Sequence, residues 1–255
     1  MLGALAAPGA LAQPAPRAKP AFPTIALPER AQGERAIALL GSRLPEVAAW
    51  YDLSVPQFAA MLRFDRSAWL DTRGRVFFEE EIRLPPETTS APPATDPMSP
   101  NLEPLEQTFR LHSRPGAKRT IYLNIVGATL TGTAWNSSSR PSITALPFDL
   151  DGLPYSFSSA ELQRIQYIWK RVAEDFSAFD VDVTTEPPPA ERITRSSSSD
   201  DVFGTTVLMT KRAGVYDCSC GGVAYLTAFD DIGDFYKPAL VFYDALGNGN
   251  EKWLF

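Results

Sequence analysis

The chain has 255 residues, 44% hydrophobic and 21% charged, and its 24 Lys and Arg against 30 Asp and Glu leave a net charge of −6. That length can bury the core of one ordinary domain plus a smaller module, while the acidic balance lacks the basic footprint of a nucleic-acid-binding protein. One histidine and two cysteines exclude a metal site made of several histidines and a fold framed by disulfides, and no uncharged apolar run approaches the roughly 18 residues of a membrane span.

Residues 1–12 are small and apolar and close on Ala10-Leu11-Ala12. They have the look of the hydrophobic part and cleavage site of a secretory signal peptide without its basic start, so the expected location is secreted or periplasmic. Residues 13–33, rich in Pro and Ala, read as a flexible segment. Residues 34–84 read as a small helical module. Helices are predicted over Glu34–Leu40, Pro45–Tyr51 and Val55–Arg63, the last opened by Ser54 as cap and Pro56 in its first turn. A turn over Asp71–Arg75 then leads into a short strand, Val76–Phe78. The stretch from Leu44 to Phe58 is distantly similar to the helix pair of a LysM-type cell-wall-binding module, but a pro-region or spacer is the preferred reading. Residues 85–108 form a linker, since Pro85 to Pro104 holds seven prolines and cannot pack as a helix or central strand.

The main unit is predicted over 109–255. Arg119–Val126 is a strong strand ended by Gly127, and Thr129–Trp135 a hairpin or loop. Ser158-Ser-Ala-Glu161 has the form of a capping box. The helix after it places Leu162, Ile165, Ile168, Trp169, Val172, Ala173 and Phe176 on one stripe. Strands follow at Phe179–Thr185, Thr205–Thr210, Gly222–Phe229 and Ala239–Tyr243. A strand–helix–strand opening favours parallel pairing with a right-handed crossover. The later strands have no helix between them, so a mixed sheet with the long helix on one face is expected, in the α/β (α+β-like) class.

Ordered short stretches carry a resemblance. They are His112-Ser-Arg-Pro-Gly116, Ile121–Gly127, Thr131–Asn136, Phe148-Asp-Leu-Asp-Gly152, Phe157–Glu161, Ile168–Phe176, Phe179–Glu186, Cys220–Tyr225 and Ala239–Phe242. Together they resemble secreted bacterial zinc metalloproteases of the metzincin clan, over roughly residues 109–250. The resemblance implies a twisted five-stranded sheet whose edge strand, mapped to Gly222–Phe229, runs antiparallel to the rest. It further implies that Gly222, Val223, Ala224, Tyr225 and Leu226 pair with an extended peptide or protein substrate through main-chain hydrogen bonds. The departure concerns chemistry. The clan's His-Glu-x-x-His-x-x-Gly-x-x-His helix has no counterpart here, and the sequence reaches Trp253-Leu254-Phe255 where that helix would start. The chain therefore reads as truncated before its zinc motif: zinc is the family's cofactor, no catalytic or metal-ligating residue is assigned in this chain, and no peptidase activity is expected. Acidic residues are also expected near Asn124 and Val126 and are missing.

The remaining candidates read as structural. His112 is expected to be a surface or loop residue. Cys218 and Cys220, one residue apart, strain against bonding each other, so they pair with residues outside this sequence or stay as free thiols. Asp149 with Asp151, and Asp230, Asp231 and Asp234, have the oxygen ligands calcium favours without the EF-hand spacing, and read as polar turns. Glu79-Glu80-Glu81 reads as a solvated run. The last strand and long helix are expected to leave apolar surface uncovered. The alternative function is a non-enzymatic exported peptide- or cell-wall-binding protein.

Overall fold

The computed structural model describes residues 20–80 and 102–246. The signal-like start, the linker over 85–101, Glu81 and the Trp253-Leu254-Phe255 tail lie outside the described residues.

The first stretch forms β1 (Ala31–Gln32), α1 (Gly33–Leu40), α2 (Leu44–Trp50), α3 (Val55–Phe64), β2 (Ala68–Leu70) and β3 (Val76–Glu79). The start of α3 is set locally. The Ser54 hydroxyl accepts from the Gln57 N–H, and the Gln57 side chain accepts from the Ser54 N–H at 3.0 Å, so two orphan donors are satisfied reciprocally. Phe58 and Leu62, one turn apart on α3, are buried against Ala36 and Leu40 of α1 and Val47 and Ala48 of α2. Tyr51 stacks on Phe58 with ring centroids 5.6 Å apart. The β2–β3 hairpin turns through Asp71, whose Oδ1 accepts from the N–H of Arg73 and Arg75 at 2.9 and 2.8 Å. Gly74 takes φ +78°, and a Cβ there would sit 3.0 Å from Ile25.

The second stretch forms β4 (Arg119–Asn124), β5 (Ala128–Thr131), β6 (Ser142–Ala145), α4 (Ser159–Asp175), β7 (Val181–Thr184), β8 (Phe203–Thr210), β9 (Gly222–Tyr225) and β10 (Ala239–Phe242). The capping box holds: the Ser158 hydroxyl accepts from the Glu161 N–H, and Glu161 reaches back to the Ser158 N–H. One mixed sheet runs in the order β1-β2-β3-β9-β10-β8-β4-β7. Within it β7, β4, β8 and β10 are parallel neighbours, and β9 is antiparallel to β10. Both faces of the parallel part are covered. Ile121, Leu123, Ile125 and Val183 pack with Ile165 and Ile168 of α4 on one face. On the other, Leu208, Leu240 and Phe242 pack against Leu130, Ile143 and Ala145 of the separate β5–β6 pair. Burial on both faces is why these strands read as nearly continuous apolar runs.

Three expectations change. The helical module is not set apart from the main unit: its strands β1, β2 and β3 carry the expected five-stranded sheet to eight, because the exposed backbone of β9 finds partners in β3. The fourth main strand is shorter than 222–229, since Thr227 turns left-handed at φ +64° into a 3₁₀ turn over Ala228–Asp230. The last strand and long helix are covered in part: Leu240, Phe242, Ile165 and Ile168 are buried, while Leu162, Trp169, Val172, Ala173 and Phe176 of the helix stripe are half-buried. Among the described residues no helix is long and apolar enough to cross a membrane.

Candidate functional site

The peptide-pairing strand expected from sequence is β9 with Leu226. Gly222 has a steric reason to be glycine: a Cβ would stand 2.8 Å from the Leu240 carbonyl oxygen of β10. Val223 and Tyr225 point into buried clusters, and Ala224 and Gly222 are half-buried. One side of β9 is paired with β10, Val223 opposite Leu240. The expectation that the other side is an edge is corrected. It is filled by β3, antiparallel, with Phe77 opposite Tyr225, Phe78 opposite Ala224 and Glu79 opposite Val223. The Leu226 N–H donates to Val76 O at 3.0 Å, the Glu80 N–H to Gly222 O at 3.0 Å, and the Gly221 N–H to Glu80 O at 2.8 Å.

Cys218 and Cys220 form a disulfide with each other across the single intervening residue, their Cα atoms 5.3 Å apart. Partners outside the chain and free thiols are both corrected, because the turn entering β9 brings the two sulfurs together. Cys220 is buried with Val215, Val223 and Phe242, and Arg212 donates to the Cys218 carbonyl, so the crosslink fixes the approach to β9.

Side chains the sequence left unassigned surround this seam. Glu79, expected in a solvated run, is 8% exposed and accepts from the Tyr216 hydroxyl at 2.8 Å and from Arg30 at 2.8 Å. Arg75, 2% exposed, pairs with Asp231 at 2.6 Å. The Tyr225 hydroxyl donates to Asp71 Oδ2 at 3.2 Å. Burial pushes the Asp71 carboxyl above its ordinary range, against the pull of the N–H groups of Arg75 and Arg73 and the Tyr225 hydroxyl. The one available sequence signal was that charged Arg75 and Glu79 bracket the apolar Val-Phe-Phe of a strand.

His112 is an exposed residue outside the named strands and helices, as expected, but its ring is engaged at both nitrogens. Its Nδ1 lies 2.7 Å from Asp182 and its Nε2 2.9 Å from Glu186. Burial disfavours its charge, but the hydrogen bonds and charges of Glu186 and Asp182 outweigh that, and its pKa rises above 6.5. It borders a cavity of about 410 Å³ lined also by Thr120, Pro187 and Arg192. The two carboxylates sit at opposite ring nitrogens, so the three groups do not converge on one ion.

Among the described residues, Asp149, Asp151 and Glu161 are the cluster of three metal-ligand side chains, with donor atoms within 4.8 Å of one another. Their oxygens already have partners. Asp149 accepts from Gly152 and Leu153 N–H and pairs with Lys211 at 2.9 Å. Asp151 accepts from Leu153 N–H, and Glu161 from the N–H of Leu150 and Ser158. Burial would raise the Asp149 carboxyl, yet Lys211 and the N–H donors hold it below 3.8. This is a braced turn at the head of α4. Asp231 pairs with Arg75 and Asp234 with Lys237 at 3.4 Å, so the second acidic stretch is likewise tied to different partners. Asn124, where an acidic residue was expected, accepts from the Val126 N–H at 3.1 Å, a local turn bond.

The fold is thus a mixed α/β sheet whose antiparallel member carries the chain's own N-terminal hairpin. No family model, curated protein or solved structure matches the chain.

Proposed function

We propose that residues 109–246 are the peptide-binding half of an exported zinc metalloendopeptidase domain of metzincin type, which in this chain does not hydrolyse peptides. The observation that carries this reading is the strand order β9-β10-β8-β4-β7, with four strands parallel and β9 alone antiparallel at the end of that set. The resemblance implies one strand antiparallel to the others, and the sense of β9 against β10 supports the reading, although β9 lies inside an eight-stranded sheet and not at its edge. In this reading an extended peptide or protein substrate pairs with the outer side of β9, main-chain bonds supplying affinity and alternate side chains selectivity.

The residues present do not fit a catalytic zinc. The lone imidazole has both nitrogens turned to carboxylates, the two cysteines are joined, and the acidic cluster is already bonded to N–H groups and Lys211. A catalytic zinc takes three protein ligands that converge and leave one position open. The expected outcome is no stoichiometric zinc in the purified chain and no EDTA-sensitive proteolysis, and finding both overturns the inactive assignment. Translating the coding DNA beyond codon 255 in every frame tests the ancestry: a His-Glu-x-x-His helix supports it, and its absence moves weight to the second reading.

The second reading is a non-enzymatic exported protein that binds peptide or cell wall. The disulfide-braced approach to β9, which fixes that strand's position, supports this reading.

A further inference from the structure

We propose that the Cys218–Cys220 crosslink is a modification site, opened on its Cys218 side by small thiols that carry carboxylates, which stay attached to Cys218 as a mixed disulfide. This does not rest on peptide pairing at β9. The two sulfurs meet different surroundings. Cys220 is 2% exposed and packs with Val215, Val223 and Phe242. Cys218 is half-buried and lines a cavity of about 560 Å³ whose wall also holds Arg140, Arg212 and Asp217. An incoming thiolate therefore has access to one sulfur of the pair and not to the other. The crosslink spans a single intervening residue. A bridge that short removes little freedom from the unfolded chain, so folding protects it from reduction less than it protects a long-range bridge. Disulfides with an accessible sulfur are the labile ones.

The cavity selects by charge. Arg212 donates to the Cys218 carbonyl and Arg140 to the Gly214 carbonyl, which holds both guanidiniums at the cavity wall. Asp217 is the one carboxylate in that wall, and Asp244, which accepts from the Arg212 backbone N–H at 2.9 Å, does not line it. The wall is net positive. It raises the local concentration of anions, and guanidinium forks suit carboxylates. In the exchange the thiolate forms an S–S bond to Cys218 Sγ, and the Cys218–Cys220 bond breaks. Its electron pair leaves on the Cys220 sulfur, which takes up the proton that the incoming thiol gave up. The apolar surroundings of Cys220 disfavour a thiolate there. That slows its departure, and it equally slows its return onto the mixed disulfide, which is therefore not quickly resolved from within the chain.

The test incubates the full chain, without denaturant, with reduced glutathione, an anionic thiol, and in parallel with cysteamine, a cationic one, at matched thiolate concentration. Free thiols are blocked with N-ethylmaleimide at intervals, and the products are mapped by peptide mass spectrometry. The expected result is glutathione on Cys218 and N-ethylmaleimide on Cys220, formed at least about threefold faster than the cysteamine adduct. Arg140→Ala is expected to remove most of that preference and Asp217→Asn to increase it, with circular dichroism unchanged in both. Should Arg140→Ala fail to fold, the direction of the Asp217→Asn change decides. A crosslink that stays closed without denaturant overturns the site, and so does an adduct on Cys220 in place of Cys218. Equal rates for the two thiols, or a preference that neither variant moves, overturns the charge selection and with it the class of thiol assigned to the site.

Discussion

Residues 20–80 and 102–246 share one sheet but are stabilised in different ways. In the first, three short helices close in sequence bury Phe58, Leu62, Ala36 and Val47 among themselves, and the hairpin β2–β3 joins strands that are neighbours along the chain. In the second, β4 sits between β7 and β8, strands that arrive long after it, so its core exists only once distant segments have met. The contrast teaches that a sheet continuous in hydrogen bonds is not necessarily one core. It also places the seam at β3–β9, where a locally built unit meets a non-locally built one.

The largest test of that contrast is Phe58→Ala. Phe58 is fully buried, and truncating it is expected to cost about 3–5 kcal/mol. Denaturant titration followed by amide exchange should find residues 20–80 opened first, with 102–246 still protected; joint loss of both would make the two cores one. Gly204→Ala attacks the other side. A Cβ on β8 at this position would lie 2.1 Å from the Thr120 carbonyl oxygen of β4, so the parallel pairing must shift, with an expected cost of about 1–3 kcal/mol or more. Its signature in the same titration is loss of protection in β4 and β8 with little change in α3.

Smaller effects sharpen the comparison. Ser54→Ala and Ser158→Ala each remove a capping hydroxyl, one per region, and each is expected to cost about 1 kcal/mol. The two costs should appear in separate unfolding steps if the cores are separate. The smallest effect is in the pH profile. His112 has a folded pKa raised above 6.5, so the stability it contributes is full below about 6.5 and is lost as pH rises through the folded value. His112→Gln should flatten that fall in the stability of 102–246 and leave residues 20–80 unaffected; an unchanged profile means that the Asp182–His112–Glu186 bridge does not hold in solution.

Much of the local structure was legible in the sequence. The Ser54 and Ser158 caps, the 3.6-residue stripe of α4, the strands after it and the polar turn at Asp149 all follow from signals within a few residues of one another. The candidate site was legible only in part. Gly222–Leu226 could be placed on a strand, but not which strand lies on each side. The short runs Ala31–Gln32 and Ala68–Leu70 carried no strand signal of their own, because a two- or three-residue strand is stabilised by its partner rather than by its composition. Glu79 looked solvated for a similar reason: a charged residue beside two others reads as surface unless Tyr216 and Arg30 are known to be waiting for it.

The sequence by itself determined where helices start, which residues alternate toward a core, and that one imidazole cannot make a three-histidine metal site. The tertiary structure alone decided that β3 covers β9, that Arg75 is buried against Asp231 and the rings of Phe22, Trp50 and Tyr236, and that Cys218 pairs with Cys220. The physical reason is range. Capping, periodicity and residue counts are fixed within a few residues or by inventory, whereas the partner of a strand edge or a buried charge is whatever the rest of the chain brings beside it.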